Sequence, residues 1–122
     1  VQGNDRNYSH IQLGKEGAAR YTQIRVASFA GSDRYRPSPA FAALPDSVAY
    51  SVVARDLEEA IPEELSRLTL SKDRRAVVYP FGAGEALLLD TLRPCWKDQY
   101  FANMFSLAAA FDTPCSRKPS AK

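Results

Sequence analysis

The side chains placed to do chemistry fall mainly in two short stretches of this sequence. The first is Lys15-Glu16-Gly17, near the start of an amphipathic helical pattern. Glu16 projects from the first turns of that helix. It reads either as a solvated carboxylate favoured by the helix dipole or as an acid or ligand. A glycine inside a helix costs ~1 kcal/mol relative to alanine, so Gly17 calls for a close neighbour. The second stretch is Tyr79-Pro80-Phe81-Gly82-Ala83-Gly84-Glu85. A tyrosine beside a proline break either packs into the core with its hydroxyl at the rim or aims that hydroxyl into a cleft. The glycines allow another backbone to approach. Glu85 lies one turn after Phe81 and one before Leu88 and Leu89, on an apolar stripe. A carboxylate there pairs with an arginine, takes up a proton, or faces a cavity.

Other chemistries are poorly supported. His10 is the only histidine. A zinc site built on imidazoles normally uses two or three, and neither a Ser-His-Asp nor a Cys-His set can be assembled. Gly82-Ala83-Gly84-Glu85 lacks the Lys and Ser/Thr of a phosphate-binding loop. Cys95 and Cys115 are well separated in sequence. They form no C-x-x-C pair, which disfavours a redox motif or zinc knuckle. They are either free thiols or a disulfide contributing about 3 kcal/mol.

The elements that must position these residues read as helices. One is expected over 13–28, with Leu13, Gly17, Tyr21, Ile24 and Ala27 on one face and Glu16, Arg20 and Gln23 beside it. A Gly/Ser/Pro-rich loop covers 31–39, and a helical turn 39–44. A second helix starts at Asp46 or Ser47, both good N-caps, and carries Tyr50, Val53, Ala54, Leu57 and Ile61 on its apolar face. Pro62 fits the first position of a short third helix with Leu65, Leu68 and Leu70. A fourth segment runs from Ser71 to Leu92, broken near Tyr79 by Pro80. Two short pieces follow over 94–101 and 106–111. The expected fold is mainly α, a compact array of four to six helices with a kink near Pro80. It comprises a polar segment 1–12, one helical domain 13–112 and a loose tail 113–122.

With 122 residues, 45% of them hydrophobic and 25% charged, the chain suits one packed domain. Its net charge of +2 is too balanced to point to nucleic acid or an anionic membrane. Lys72-Asp73-Arg74-Arg75 and Arg117-Lys118 read as solvated surface. No apolar run is long enough to span a bilayer. The end at Val1 has no signal-peptide core and reads as a mature or trimmed terminus. Trp96, Tyr100, Phe101 and Phe105 read as core and lid aromatics.

The two stretches together resemble a known family. Lys15-Glu16-Gly17-Ala18-Ala19-Arg20-Tyr21 resembles the N-E-G-x-A-x-Y helix of gluzincin aminopeptidases. Tyr79-Pro80-Phe81-Gly82-Ala83 resembles their Y-x-x-G-A helix, and residues 93–101 resemble a downstream segment. The motifs stand in family order, with helices between them. The resemblance implies that Glu16 is a zinc ligand and that Tyr79 stabilises the oxyanion of a tetrahedral intermediate. It assigns nothing to Glu85. Lys15 stands where the family has Asn, and the H-E-x-x-H helix and the substrate-amine motif are missing.

Two functions follow. The resemblance implies that the chain is the C-terminal helical part of a gluzincin-like zinc peptidase, expected to be inactive alone and to bind zinc only when a missing segment supplies the histidines and base. Alternatively, it is a non-catalytic binding module using a cleft around Tyr79 and Glu85. Its expected partners are a peptide substrate or the missing segment, and exposed apolar surface suggests a homodimer. A secreted or periplasmic location is slightly favoured.

Overall fold

Gly17 and Gly82 set the distance between the two helices that make the most extensive contact in the fold. The structure, a computed structural model, describes residues 2–103 and 105–115. The remaining residues of the expected tail, Arg117-Lys118 included, lie outside the described residues. Helix α1 is Gln2–Ala30, and α5 is Val78–Leu92. Where they cross, a Cβ added at Gly82 would come within 2.8 Å of Gly17 Cα and closer still to the Leu13 carbonyl oxygen. A Cβ at Gly17 would strike the Gly82 backbone and sit 2.9 Å from the Ala83 nitrogen. Only hydrogen side chains fit there, which accounts for a glycine in the interior of each helix.

The remaining helices build on this pair. They are α2 (Pro39–Ala42), α3 (Tyr50–Arg67), α4 (Leu70–Asp73), a 3₁₀ turn over Arg74–Val77, α6 (Trp96–Ala102) and α7 (Leu107–Asp112). The protein is mainly α and, among the described residues, has no strand. Helix α3 packs against both α1 and α5, while α7 packs against α5 and α6. The core combines Tyr21 and Ile24 of α1, Ile61 of α3, and Ala83, Ala86 and Leu89 of α5 with Trp96, Leu107 and Ala110. The alanines keep the helices close, so the core is tight rather than voluminous.

Several boundaries differ from the sequence expectation. Helix α1 begins at Gln2, about three turns ahead of Leu13, so the polar segment is helical in its described part. Asp5, Arg6, Tyr8, Ser9 and Ile11 in its early turns are exposed, and no apolar periodicity marks them. Helix α3 starts at Tyr50 behind Ala49, without a side-chain cap from Asp46 or Ser47. It also runs through Pro62 to Arg67, so the expected second and third helices are one. Proline inside a helix costs about 3 kcal/mol. Here Pro62 itself is exposed, while Ala54 and Ile61 are buried along the same helix and hold it.

The break expected near Tyr79 lies earlier. The chain turns at Arg74, whose φ of 47° is left-handed, and passes through the 3₁₀ turn before α5 begins. Pro80 is the third residue of α5, in the first turn, where proline is tolerated. Helix α4 starts at Leu70 rather than Ser71, and the Thr69 N–H donates to Asp73 at 2.8 Å. Ser38 and Ser106 cap α2 and α7, each accepting a backbone N–H at 3.2 Å.

The glycines of α5 give a direct test. A Cβ at Gly84 would make ordinary contacts with Ile61 and Leu65, at 3.5 and 3.7 Å. Gly84→Ala should raise stability by roughly 0.5–1 kcal/mol through helix propensity. Gly82→Ala should lower it by about 2–3 kcal/mol through overpacking. Denaturant unfolding followed by circular dichroism checks both. Equal effects at the two positions would contradict the crossing as described.

Candidate functional site

Four side chains from the first half of α1 form one wall of a cavity of about 460 Å³. Tyr8, Gln12 and Glu16 follow one another at four-residue steps, with Ser9 alongside, so all four share a helix face. The opposite wall comes from Leu70, from Arg74, Arg75 and Val77 of the 3₁₀ turn, and from Val78 and Tyr79 at the start of α5. Because the glycine crossing fixes α5 against α1 immediately after Glu16, it also fixes Tyr79 opposite Glu16. The two site residues expected from the sequence are thus brought to one cavity.

Their electrostatics are coupled. Tyr79 is 40% exposed, and its pKa is raised above the usual 10.0. The leading cause is Glu16, first as acceptor for the phenol proton and then through its charge. Burial adds to the rise, and Arg75 pulls the other way. The phenol therefore keeps its proton at neutral pH and is available as a hydrogen-bond donor. Tyr79 and Glu16 make no direct hydrogen bond of ordinary length, unlike Tyr21, which donates to Asp90 at 2.8 and 2.9 Å.

Arg74 and Arg75 are exposed, as expected of solvated surface, and they also line the cavity. Ser9 and Gln12 escape sequence reasoning because the expected helix starts only at Leu13. A helix extended to Gln2 places them on the Glu16 face. Arg74 and Arg75 carry no such signal, since their place at the cavity edge depends on the turn at Arg74.

Glu85 does not belong to this cavity. Well over a turn beyond Tyr79, it faces another side of α5. Among the described residues it has no ion-pair or hydrogen-bond partner, so the expected arginine pairing is not present. Burial alone raises its pKa. Its stripe also differs from the expectation. Leu89 is buried, whereas Phe81, Leu88 and Leu92 are about half exposed. The cavity lined by Tyr79 thus does not include Glu85.

Asp90, farther along α5, has a structural role that the sequence did not reveal. It accepts from Tyr21 Oη, from Trp96 Nε1 at 2.9 Å and from Lys97 Nζ at 3.3 Å. Burial by itself would raise the Asp90 pKa. The bonds from Trp96 and Tyr21 and the charge of Lys97 outweigh it and hold the carboxyl below its usual 3.8. Tyr21 and Trp96 meet edge to face at 5.4 Å, with Lys97 over both rings. Trp96, Tyr100, Phe101 and Phe105 form one chain of aromatic contacts, and Tyr100 Oη donates to the Gly14 carbonyl at 3.0 Å. Cys95 and Cys115 are joined in a disulfide, their Cα atoms 5.7 Å apart.

The cavity does not by itself make a zinc site. Its lining offers one carboxylate and neither imidazole nor thiolate, and two guanidinium groups stand on the opposite wall. Among the described residues, no group of three His, Cys, Asp or Glu side chains is placed to hold a metal ion. His10 does not line the cavity. No helix of the described residues is long and apolar enough to cross a membrane. No protein-family model matches the chain, and neither does any curated protein or solved structure.

Two pH dependences follow. The depressed pKa of Asp90 means its contribution to stability is complete above the unfolded value and is lost as pH falls through the folded one. Asp90→Asn should cost roughly 1.5–3 kcal/mol at pH 7 and flatten the acid limb of the stability curve. Glu85 has the opposite sign. Its raised folded pKa makes the ionised form a liability at neutral pH, and this is relieved as pH falls through that pKa. Glu85→Gln should raise the thermal midpoint at pH 7, with the gain fading at acid pH. Thermal melts of both variants from pH 3 to 8 test these signs.

Proposed function

We propose that this domain carries one half of the active site of a zinc peptidase resembling the gluzincin aminopeptidases. One observation carries the reading: Glu16 and Tyr79, remote in sequence, face each other in a single cavity. The glycines that press their helices together belong to the same two motif segments, Glu16-Gly17 and Tyr79 to Ala83. In this reading Glu16 is a metal ligand and the Tyr79 hydroxyl donates a hydrogen bond to the negative oxygen that develops on a peptide carbonyl. Both histidine ligands and the general base come from a segment outside this sequence, fused or supplied in trans. The chain alone is then inactive, and zinc is a cofactor only of the completed site.

A second reading, a non-catalytic binding module, draws support from Arg74 and Arg75 in the cavity wall. The exposed Phe81, Leu88 and Leu92 support either cover by a partner segment or a homodimer. The Cys95–Cys115 disulfide supports a secreted or periplasmic location.

The purified chain should contain no stoichiometric zinc and should not hydrolyse peptides. The reading frame upstream of Val1 should encode H-E-x-x-H. In the protein that includes that segment, Glu16→Gln should release zinc. Tyr79→Phe should retain zinc and lower kcat about 10²–10³-fold, as loss of an oxyanion donor does. Chelator-sensitive hydrolysis by this chain alone, or a frame without H-E-x-x-H, overturns the proposal. Light scattering tests the homodimer, which a monomer at working concentration would exclude.

A further inference from the structure

The wall facing Glu16 carries more positive charge than the proposed chemistry uses. Arg74 and Arg75 follow one another at the turn into α5, and both line the cavity. Neither has an ion-pair partner among the described residues, a state they share with Arg6, Arg34, Arg36 and Arg93, but only Arg74 and Arg75 line this cavity. Arg75 lies near enough to the Tyr79 hydroxyl for its charge to be felt there. Arg74 is held at φ 47°, a conformation that a non-glycine residue adopts only at a cost. That turn separates α4 from the 3₁₀ turn that carries Arg74 and Arg75 at the cavity edge.

We infer that Arg74 and Arg75 bind the terminal carboxylate of a short peptide, so that the cavity selects ligands with a free C-terminus next to the Glu16–Tyr79 pair. Guanidinium groups match carboxylate geometry with two parallel donors, and such charge-assisted bonds are the stronger kind. The balance of charge favours a monoanion, because two cations face one carboxylate within the same lining. A phosphate dianion would bring more charge against Glu16 than the arginines offset. The volume of about 460 Å³ suits a peptide of two or three residues. Tyr8 and Leu70, 52% and 75% exposed, offer apolar surface for its side chains. The peptide in this inference rests on the proposed function, but the carboxylate rests on the arginines alone.

The test uses the full chain and calorimetric titration with N-acetyl-dialanine, its C-terminal amide and inorganic phosphate. The free acid should bind at least roughly tenfold more tightly than the amide, the factor expected when a hydrogen-bonded charge is removed. Arg75→Ala should abolish that difference, and Arg75→Lys should restore part of it. Thermal melts establish that each variant is folded, and Arg74→Gly, compatible with the left-handed turn, provides a second removal. Equal binding of acid and amide, failure of the folded chain to bind either peptide, or an unchanged preference in both arginine variants overturns the inference. So does displacement of the peptide by phosphate at equal concentration, which would assign the site to a phosphate group. A chain that prefers the acid but whose reading frame lacks H-E-x-x-H keeps this inference and loses the zinc reading. The converse result loses this inference alone.

Discussion

The crossing of α1 and α5 at Gly17 and Gly82 is the constraint on which the rest of the structure depends. Backbone-to-backbone contact leaves no room for adjustment, because any Cβ at either position would lie inside its neighbour's backbone. The crossing fixes depth as well as position. Ala83, Ala86 and Leu89 reach Tyr21 and Ile24 only because the helix axes are close at that point. Glu16 directly precedes one glycine and Tyr79 lies within a turn of the other, so the packing contact and the cavity share one origin. Glycine costs helix stability at both positions, and the core formed around the crossing offsets that cost.

A second layer ties the ends of this pair together. Asp90 collects donors from α1 and α6 and anchors the chain as it leaves α5. A carboxylate accepting several hydrogen bonds is stable where an unpaired one would not be, and this separates Asp90 from Glu85 on the same helix. Beyond Asp90, the aromatic series from Trp96 to Phe105 folds back on α1. The Phe105 carbonyl lies so close to Gly14 that a side chain there would collide with it. The Cys95–Cys115 bridge holds the chain after α7 to the start of α6. The contacts at Gly14 lie between the cavity residues Gln12 and Glu16, so they brace α1 from behind the cavity wall.

The cavity draws its character from unequal walls. The α1 wall is a regular helix face carrying one negative charge. The other wall is an irregular turn carrying two positive charges. The irregular wall exists because α4 and α5 do not form one continuous helix, and the left-handed residue at Arg74 is the point of separation. The proposed catalytic role uses the Glu16–Tyr79 pair, and the proposed ligand selection uses the turn. The two functions therefore lie in different elements facing one space.

Local sequence determined much of the helical content. The spacing of Leu13, Gly17, Tyr21, Ile24 and Ala27 marks the buried face of α1, and Ser106 and Pro39 mark two short helices at their starts. The requirement of Gly17 and Gly82 for close neighbours is also legible, because glycine inside a helix needs a reason. Local rules err where packing overrides them. Pro62 does not end α3, because burial of Ala54 and Ile61 on one helix outweighs the lost backbone bond. The stretch of α1 before Leu13 shows no apolar period, and Asp5, Arg6, Tyr8, Ser9 and Ile11 there are exposed, so Ser9 and Gln12 are invisible as cavity residues. Glu85 reads as part of a buried stripe because Phe81, Leu88, Leu89 and Leu92 are all apolar. Only the actual direction of α5 against α1 shows that Leu89 faces inward while the other three face out. By itself the sequence determined which residues were chemically capable. Tertiary structure alone decided that Glu16, Tyr79, Arg74 and Arg75 share a cavity, because that depends on the angle and depth of a helix crossing between segments far apart along the chain.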